Sequence, residues 1–185
     1  MEKIELLIVA LSESISQPGH FALVLEEPVS RRRIPLIIGS HEAQAIAISL
    51  ENLEPARPLT HDLFQRTLQT LGITLEEVLI TRFDAEVFFA QLVLKDHASQ
   101  RLFVDARPSD AIALAVRFGC PLYTTADILA VAAYETDEQN WESQSAYLEF
   151  TLQELEDLLR TALKREEYER AARVRDALER RKRAE

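Results

Sequence analysis

Apolar positions along the first 134 residues fall into segments of two kinds, one with alternating or continuous apolar residues and one with apolar residues at steps of three and four. The first kind predicts strands and the second amphipathic helices. Ile4, Leu6, Ile8 and Ala10 on one side, with Leu7, Val9 and Leu11 on the other, make a strand apolar on both faces, as expected of a buried central position. Gln17-Pro18-Gly19 marks a turn. Phe21–Glu26 and Ile34–Ile38 then read as a hairpin around the polar connection Glu27–Arg33. From Ser40, a candidate N-cap, Ala43, Ile46, Ala47, Leu50 and Leu53 form a helical stripe, closed off by Pro55 and Pro58. Thr60 is placed to cap a second helix with Leu63, Phe64, Leu68 and Leu71 on its apolar face, and Gly72 stands where a left-handed C′ residue belongs.

The segments 77–82, 86–94 and 101–106, rich in Val, Ile and Phe, predict three consecutive antiparallel strands. Pro108 suits the first position of a helix running from Ser109 to Phe118 and ending at Gly119. Residues 121–123 read as a short strand and 126–133 as a short helix. Beyond them Leu152, Leu155, Leu159 and Leu163 form one helical stripe, and Ala171, Val174 and Leu178 another, separated by the polar break Arg165–Tyr168. The sum is an α+β fold with a mixed, mainly antiparallel sheet and packed helices, followed by a C-terminal helical hairpin. The expected organisation is a domain over residues 1–134, an acidic linker over 135–146 and the hairpin over 147–185.

Charge changes this picture in two ways. Lys and Arg number 21 against 31 Asp and Glu, a net charge of −10, whereas a protein binding long duplex nucleic acid by counterion release is normally basic. The balance is also uneven: residues 135–157 carry eight acids and no Lys or Arg, and 158–185 carry ten basic residues against six acids. Cys120 is the sole cysteine, which excludes an intramolecular disulfide and a cysteine-rich zinc site. No apolar run reaches bilayer length and the start lacks a basic leader, so a cytoplasmic protein with no membrane association is expected.

The densest polar constellation is Asp105-Ala106-Arg107-Pro108-Ser109-Asp110, where a strand hands over to a helix. A helix start offers free N–H groups and Arg a planar fork, a pairing suited to phosphate. Thr60-His61-Asp62 and Ser40-His41-Glu42 occupy two further helix starts, so Glu42, Asp62 and Asp110 hold equivalent first-turn positions. Were those starts on one side of the sheet, their oxygens could hold Mg²⁺ or Mn²⁺, with His61 or His41 as general base. Each residue also has a structural account, because the macrodipole favours acids at helix starts and Arg107 could pair with Asp105; on spacing alone that account is the stronger. His20 and His97 stand alone, and Arg31-Arg32-Arg33 reads as a solvated hairpin tip. Ser12, Ser14 and Ser16 lack the glycines of a nucleophile elbow, and no phosphate-loop glycine pattern exists.

Three ordered motifs, residues 35–43 (Pro-Leu-Ile-Ile-Gly-Ser-His-Glu-Ala), residues 57–63 (Arg-Pro-Leu-Thr-His-Asp-Leu) and residues 105–115 (Asp-Ala-Arg-Pro-Ser-Asp-Ala-Ile-Ala-Leu-Ala), resemble the bifunctional-nuclease domain family over nearly all of residues 1–134. The resemblance implies action on DNA and RNA. Combined with the residues, it gives a metal-assisted nuclease in which His61, Asp62, Asp110 and Glu42 are catalytic, Arg107 and Ser109 bind substrate, and Asp62, Asp105 and Asp110 hold Mg²⁺ or Mn²⁺. The acidic surface favours short or single-stranded DNA or RNA as substrate. Residues 168–176 (Tyr-Glu-Arg-Ala-Ala-Arg-Val-Arg-Asp) are similar to the UVR motif of excision-repair nuclease subunits and some protease adaptors, a helical hairpin used for protein docking. That implies a protein partner for residues 147–185. A competing expectation is a non-catalytic regulatory or adaptor protein that binds an anionic ligand or a protein; a third is a phosphoesterase acting on small nucleotides. An open sheet edge and a lone hairpin both need cover, which points to a homo-oligomer.

Overall fold

The computed structural model describes residues 2–14, 17–85, 87–133, 152–165 and 167–184. Seven strands, β1 (Lys3–Glu13), β2 (His20–Glu26), β3 (Arg33–Gly39), β4 (Thr74–Asp84), β5 (Val87–Lys95), β6 (Arg101–Ala106) and β7 (Leu122–Thr125), make one sheet in the order β3-β2-β1-β7-β4-β5-β6. All neighbours are antiparallel except β4 and β7, which run parallel. The expected mixed, mainly antiparallel α+β fold is what forms.

Helices α1 (Ser40–Leu50), α2 (Thr60–Thr70), α3 (Pro108–Phe118) and α4 (Ala126–Ala132) accompany the sheet. Alternate residues of the strands, including Leu6, Leu23, Leu25, Ile34, Leu36, Val78, Ile80 and Leu92, enter one core together with Ala43 and Ile46 of α1 and the apolar face of α3. Helix α3 is the pivot of this layer, because Ala111, Ile112, Ala113, Leu114 and Ala115 are all buried. Its small residues let α1 approach closely. Pro108 begins it, and Gly119, at φ 64°, ends it: Gly119 N–H donates to Val116 O at 3.3 Å and Cys120 N–H to Ala115 O at 3.1 Å, a Schellman closure. Gly72, at φ 69°, closes α2 in the same way, with Gly72 N–H on Gln69 O and Ile73 N–H on Leu68 O.

Several expectations need correction. Strand β1 is central but not wholly buried, since Leu7 and Val9 on its second face are exposed. Ser40 and Thr60 are first helical residues, with Gly39 and Leu59 at the N-cap positions and no side-chain cap on either helix. Leu50 and Leu53 are exposed because α1 ends at Leu50 and the chain leaves the core there. The apolar stripe of α2 is turned outward: Leu68 is buried, while Leu63, Phe64 and Leu71 are exposed, Leu63 by 60%. Of the arginines of the β2–β3 connection, Arg31 is exposed as expected while also pairing with the buried carboxylate of Glu26, but Arg33 is tied to that carboxylate and Arg32 to Leu129 O at 2.6 Å, so these two are not simply solvated.

The C-terminal helices are α5 (Leu152–Lys164) and α6 (Tyr168–Ala184), packed through Leu155, Val174 and Leu178 with Ala162 and Ala171 also buried. Leu159 packs against the hairpin core as expected, but Leu163, expected in the same stripe, is exposed, and Leu158 packs there in its place. The expected linker at 135–146, with Trp141, lies outside the described residues, as do Ser16 and Glu86.

Candidate active site

Each of the three helix starts named by the sequence contributes to one cluster, and α3 organises it. Strand β6 ends at Ala106, Arg107 takes the N-cap position in extended conformation (φ −67°, ψ 143°), and Asp110 falls in the first turn of α3. The Arg107 guanidinium, 67% exposed, bridges two carboxylates: Nε donates to Asp110 Oδ2 at 2.8 Å and Nη2 to Glu42 Oε1 at 2.7 Å. Across the same carboxylate, His61 Nε2 lies 3.1 Å from Asp110 Oδ1. A single acid is thus shared by an arginine and a histidine from different helices. The His61 side chain is largely buried, 15% exposed.

Opposing influences set the charge of these groups. Burial works to raise the Asp110 carboxyl, but hydrogen bonds and charge from Arg107 and His61 outweigh it and hold the group below the ordinary carboxylate range. Glu42 is held low first by its own backbone N–H, against desolvation, and then by Arg107. The same two carboxylates push Arg107 up. Gly39 leaves room for this arrangement, since a Cβ there would collide with the Glu42 carboxylate.

Asp62 belongs to a second, more buried pair. Its Oδ1 accepts from Arg117 Nε at 2.6 Å and its Oδ2 from the Leu59 backbone N–H at 2.8 Å. Desolvation raises the Asp62 carboxyl, and these two donors together bring it below its usual value. Arg117 is 4% exposed; its Nη1 donates to Ala45 O and Ala113 O, and its Nη2 is buried without a partner among the described residues. Gln65 Nε2 donates to Arg117 O at 2.7 Å. Arg117 therefore fastens α1, α2 and α3 together from beneath. Nothing in the sequence reading assigned it a role, although a lone basic residue seven positions after Asp110 on an otherwise apolar helix shares Asp110's stripe.

Of the residues expected in the site, Glu42, His61, Arg107 and Asp110 meet, and Asp62 sits one layer below with Arg117. Ser109 is buried in the first turn of α3. Asp105 is exposed on β6, in register with Gln91 of β5. His41 is exposed on α1 and lines a shallow cavity of about 420 Å³ with Leu11, Phe21 and Gln44. Among the described residues no three His, Cys, Asp or Glu side chains converge to hold a metal ion. The trio Asp62, Asp105 and Asp110 forms no such group: Asp62 pairs with Arg117, Asp110 with Arg107, and Asp105 is exposed on the outermost strand.

Fold and cluster together define an α+β domain with an arginine-bridged, acid-and-histidine cluster at the N-terminus of a buried helix. The chain belongs to the bifunctional nuclease domain family, whose model matches residues 23–137. It is 34% identical over 160 residues to an uncharacterized protein of Mycobacterium tuberculosis, covering 86% of this chain and 93% of that one. It is 31% identical over 106 residues to bifunctional nuclease 1 of Arabidopsis thaliana, covering 56% of this chain and 33% of that protein. A match of 31% over 116 residues to bifunctional nuclease 2 of rice covers 60% and 34%. Among the described residues no helix is long and apolar enough to cross a membrane.

Proposed function

We propose that this chain hydrolyses phosphodiester bonds of DNA or RNA at the Arg107–Asp110–His61–Glu42 cluster. The observation that carries the reading is the sharing of Asp110 by His61 and Arg107 at a helix start. Arg107 donates Nε to Asp110 and Nη2 to Glu42, which fixes the guanidinium plane and leaves Nη1 without a carboxylate partner among the described residues. With the backbone N–H groups of the first turn of α3, that edge is suited to two oxygens of a phosphate, and its charge stabilises the anion that builds up as the phosphorus is attacked. If Nε2–H of His61 donates to Asp110, Nδ1 carries the lone pair; it removes a proton from a water whose oxygen attacks phosphorus, and the protonated ring returns the proton to the departing oxygen. Asp110 fixes the tautomer and stabilises the imidazolium, and Glu42 positions Arg107.

Metal assistance by Mg²⁺ or Mn²⁺ would draw on Glu42 and Asp110, but Arg107 holds one oxygen of each and His61 faces the second oxygen of Asp110, so a dication must compete with a guanidinium held at both ends. The arrangement fits that group poorly and the steps above do not use it. The whole chain carries −10, which supports short or single-stranded substrates over long duplex. The α5–α6 hairpin is the proposed docking element for a protein partner, of UVR type, a reading supported by the similarity of residues 168–176 to that motif.

The test is cleavage of single-stranded DNA and RNA oligonucleotides by purified protein, with and without chelator, alongside Arg107→Ala and His61→Ala. Each substitution should lower the rate by about 10²–10⁴-fold, and chelator should leave the wild type active. Loss of activity with chelator alone would shift the charge-stabilising role from Arg107 to a metal. Turnover unaffected by either substitution would remove the site.

A further inference from the structure

The two edges of the sheet are unlike. At one, β3 carries Pro35 in its middle, which interrupts the row of outward donors, and its alternate residues Ile34, Leu36 and Ile38 are buried. At the other, β6 pairs only with β5 among the described residues and has no proline and no bulge, and five of its six residues are exposed. Three of those are apolar and consecutive: Leu102, Phe103 and Val104, with Phe103 60% exposed. An edge with an apolar run and neither proline nor bulge is a template for another strand, one that must also match its flanking charges.

The order of residues on this edge identifies the strand that fits it. Read from Phe103 outward, the sequence Arg101-Leu102-Phe103-Val104-Asp105 has an aliphatic residue on each side and then opposite charges at the two ends. In an antiparallel pair centred on Phe103, Arg101 of one strand stands opposite Asp105 of the other, Leu102 opposite Val104, and Phe103 opposite itself. Leu102 and Val104 lie in register with Leu94 and Leu92, so the aliphatic pairs extend the buried face of the sheet. The opposite face receives the aromatic pair flanked by two Arg–Asp pairs. Arg101 already donates through Nε to Glu76 at 2.9 Å, which orients its guanidinium and leaves its other nitrogens to a partner.

We propose that β6 pairs with β6 of a second copy of this chain about a two-fold axis through Phe103, making one continuous sheet across a homodimer. Closed two-fold symmetry satisfies both edges at once and leaves only the proline-blunted β3 edges exposed. Arg107 follows β6 four residues from the axis, so the two Arg107 clusters lie at opposite ends of the paired strands, about 26 Å apart along them. The interface is small, so association is expected to depend on concentration rather than to be obligate.

Sedimentation equilibrium of the full chain from about 1 to 200 µM tests this. The wild type should dimerise within that range. Asp105→Arg, which sets two arginines opposite each other twice per dimer, should weaken dimerisation roughly tenfold. Adding Arg101→Asp reverses both ends and should restore association. Phe103→Glu, at an exposed position, should abolish it by placing two carboxylates at the axis. Circular dichroism melts confirm that each variant is folded. A wild type that stays monomeric throughout, an Asp105→Arg protein that dimerises as tightly as the wild type, or a folded charge-swapped double variant that fails to regain association would overturn the proposal.

Discussion

Arg117 and Arg107 are the same residue type at opposite ends of α3, yet one is a fastener and the other is available for chemistry. The difference is burial: Arg117 is enclosed with Asp62 and two backbone carbonyls, whereas Arg107 leans across the surface between Glu42 and Asp110. Removing Arg117 would leave the Asp62 carboxylate partly buried without its counterion, so Arg117→Ala should destabilise the domain by about 3–5 kcal/mol in urea unfolding. Arg107→Ala, at an exposed position, should cost less than about 1 kcal/mol in the same experiment. The carboxyls of Glu42, Asp62 and Asp110 are all held below their ordinary values, and that sets the sign of the pH dependence. A group depressed in the native state contributes stability that is fully present above its unfolded value, about 4 for these residues, and lost as pH falls through the native one. Unfolding free energy should therefore fall as pH drops below about 4, and Asp110→Asn should flatten part of that slope; a slope unchanged in this variant would contradict the pairing.

At the scale of elements, α2 departs most from its sequence. Its periodicity read as a buried apolar face, but what holds the helix is polar: Asp62 to Arg117, Gln65 to Arg117 O and His61 to Asp110. Leu68 is its one buried residue, so Leu68→Ala should cost about 2–5 kcal/mol, while Leu63→Ser should change stability by no more than about 0.5 kcal/mol. Equal losses at both positions, measured by urea unfolding, would mean that the exposed stripe is covered. Periodicity identifies which residues share a face of a helix but not which neighbour that face meets, and Leu50 of α1 and Leu163 of α5 illustrate the same gap. Where local chemistry dictates geometry, the reading was accurate. The β2–β3 hairpin, the β4-β5-β6 meander, Pro108 at the start of α3 and the left-handed glycines at 72 and 119 were all legible, because proline, glycine and β-branched runs act on their own backbone.

Across the whole molecule, three motifs spread over residues 35–115 deliver Glu42, His61, Arg107 and Asp110 to one place. Their convergence was legible only as equivalent helix-start positions, since the sheet order β3-β2-β1-β7-β4-β5-β6, which no local pattern encodes, brings α1 and α2 against α3. The same ordering leaves Asp105 on a free edge and Asp62 under Arg117, and so separates carboxylates that looked like one metal set. It also leaves β6 outermost, with its two opposite charges symmetric about Phe103. The central claim is that a guanidinium braced by two carboxylates supplies the charge at the scissile phosphate. Single-turnover cleavage of a short single-stranded oligonucleotide by Arg107→Lys tests it most directly, because an ammonium keeps the charge but cannot span Glu42 and Asp110 while presenting an edge to phosphate. A fall of about 10²-fold or more with an unchanged melting temperature is the predicted result; cleavage at the wild-type rate would contradict the account.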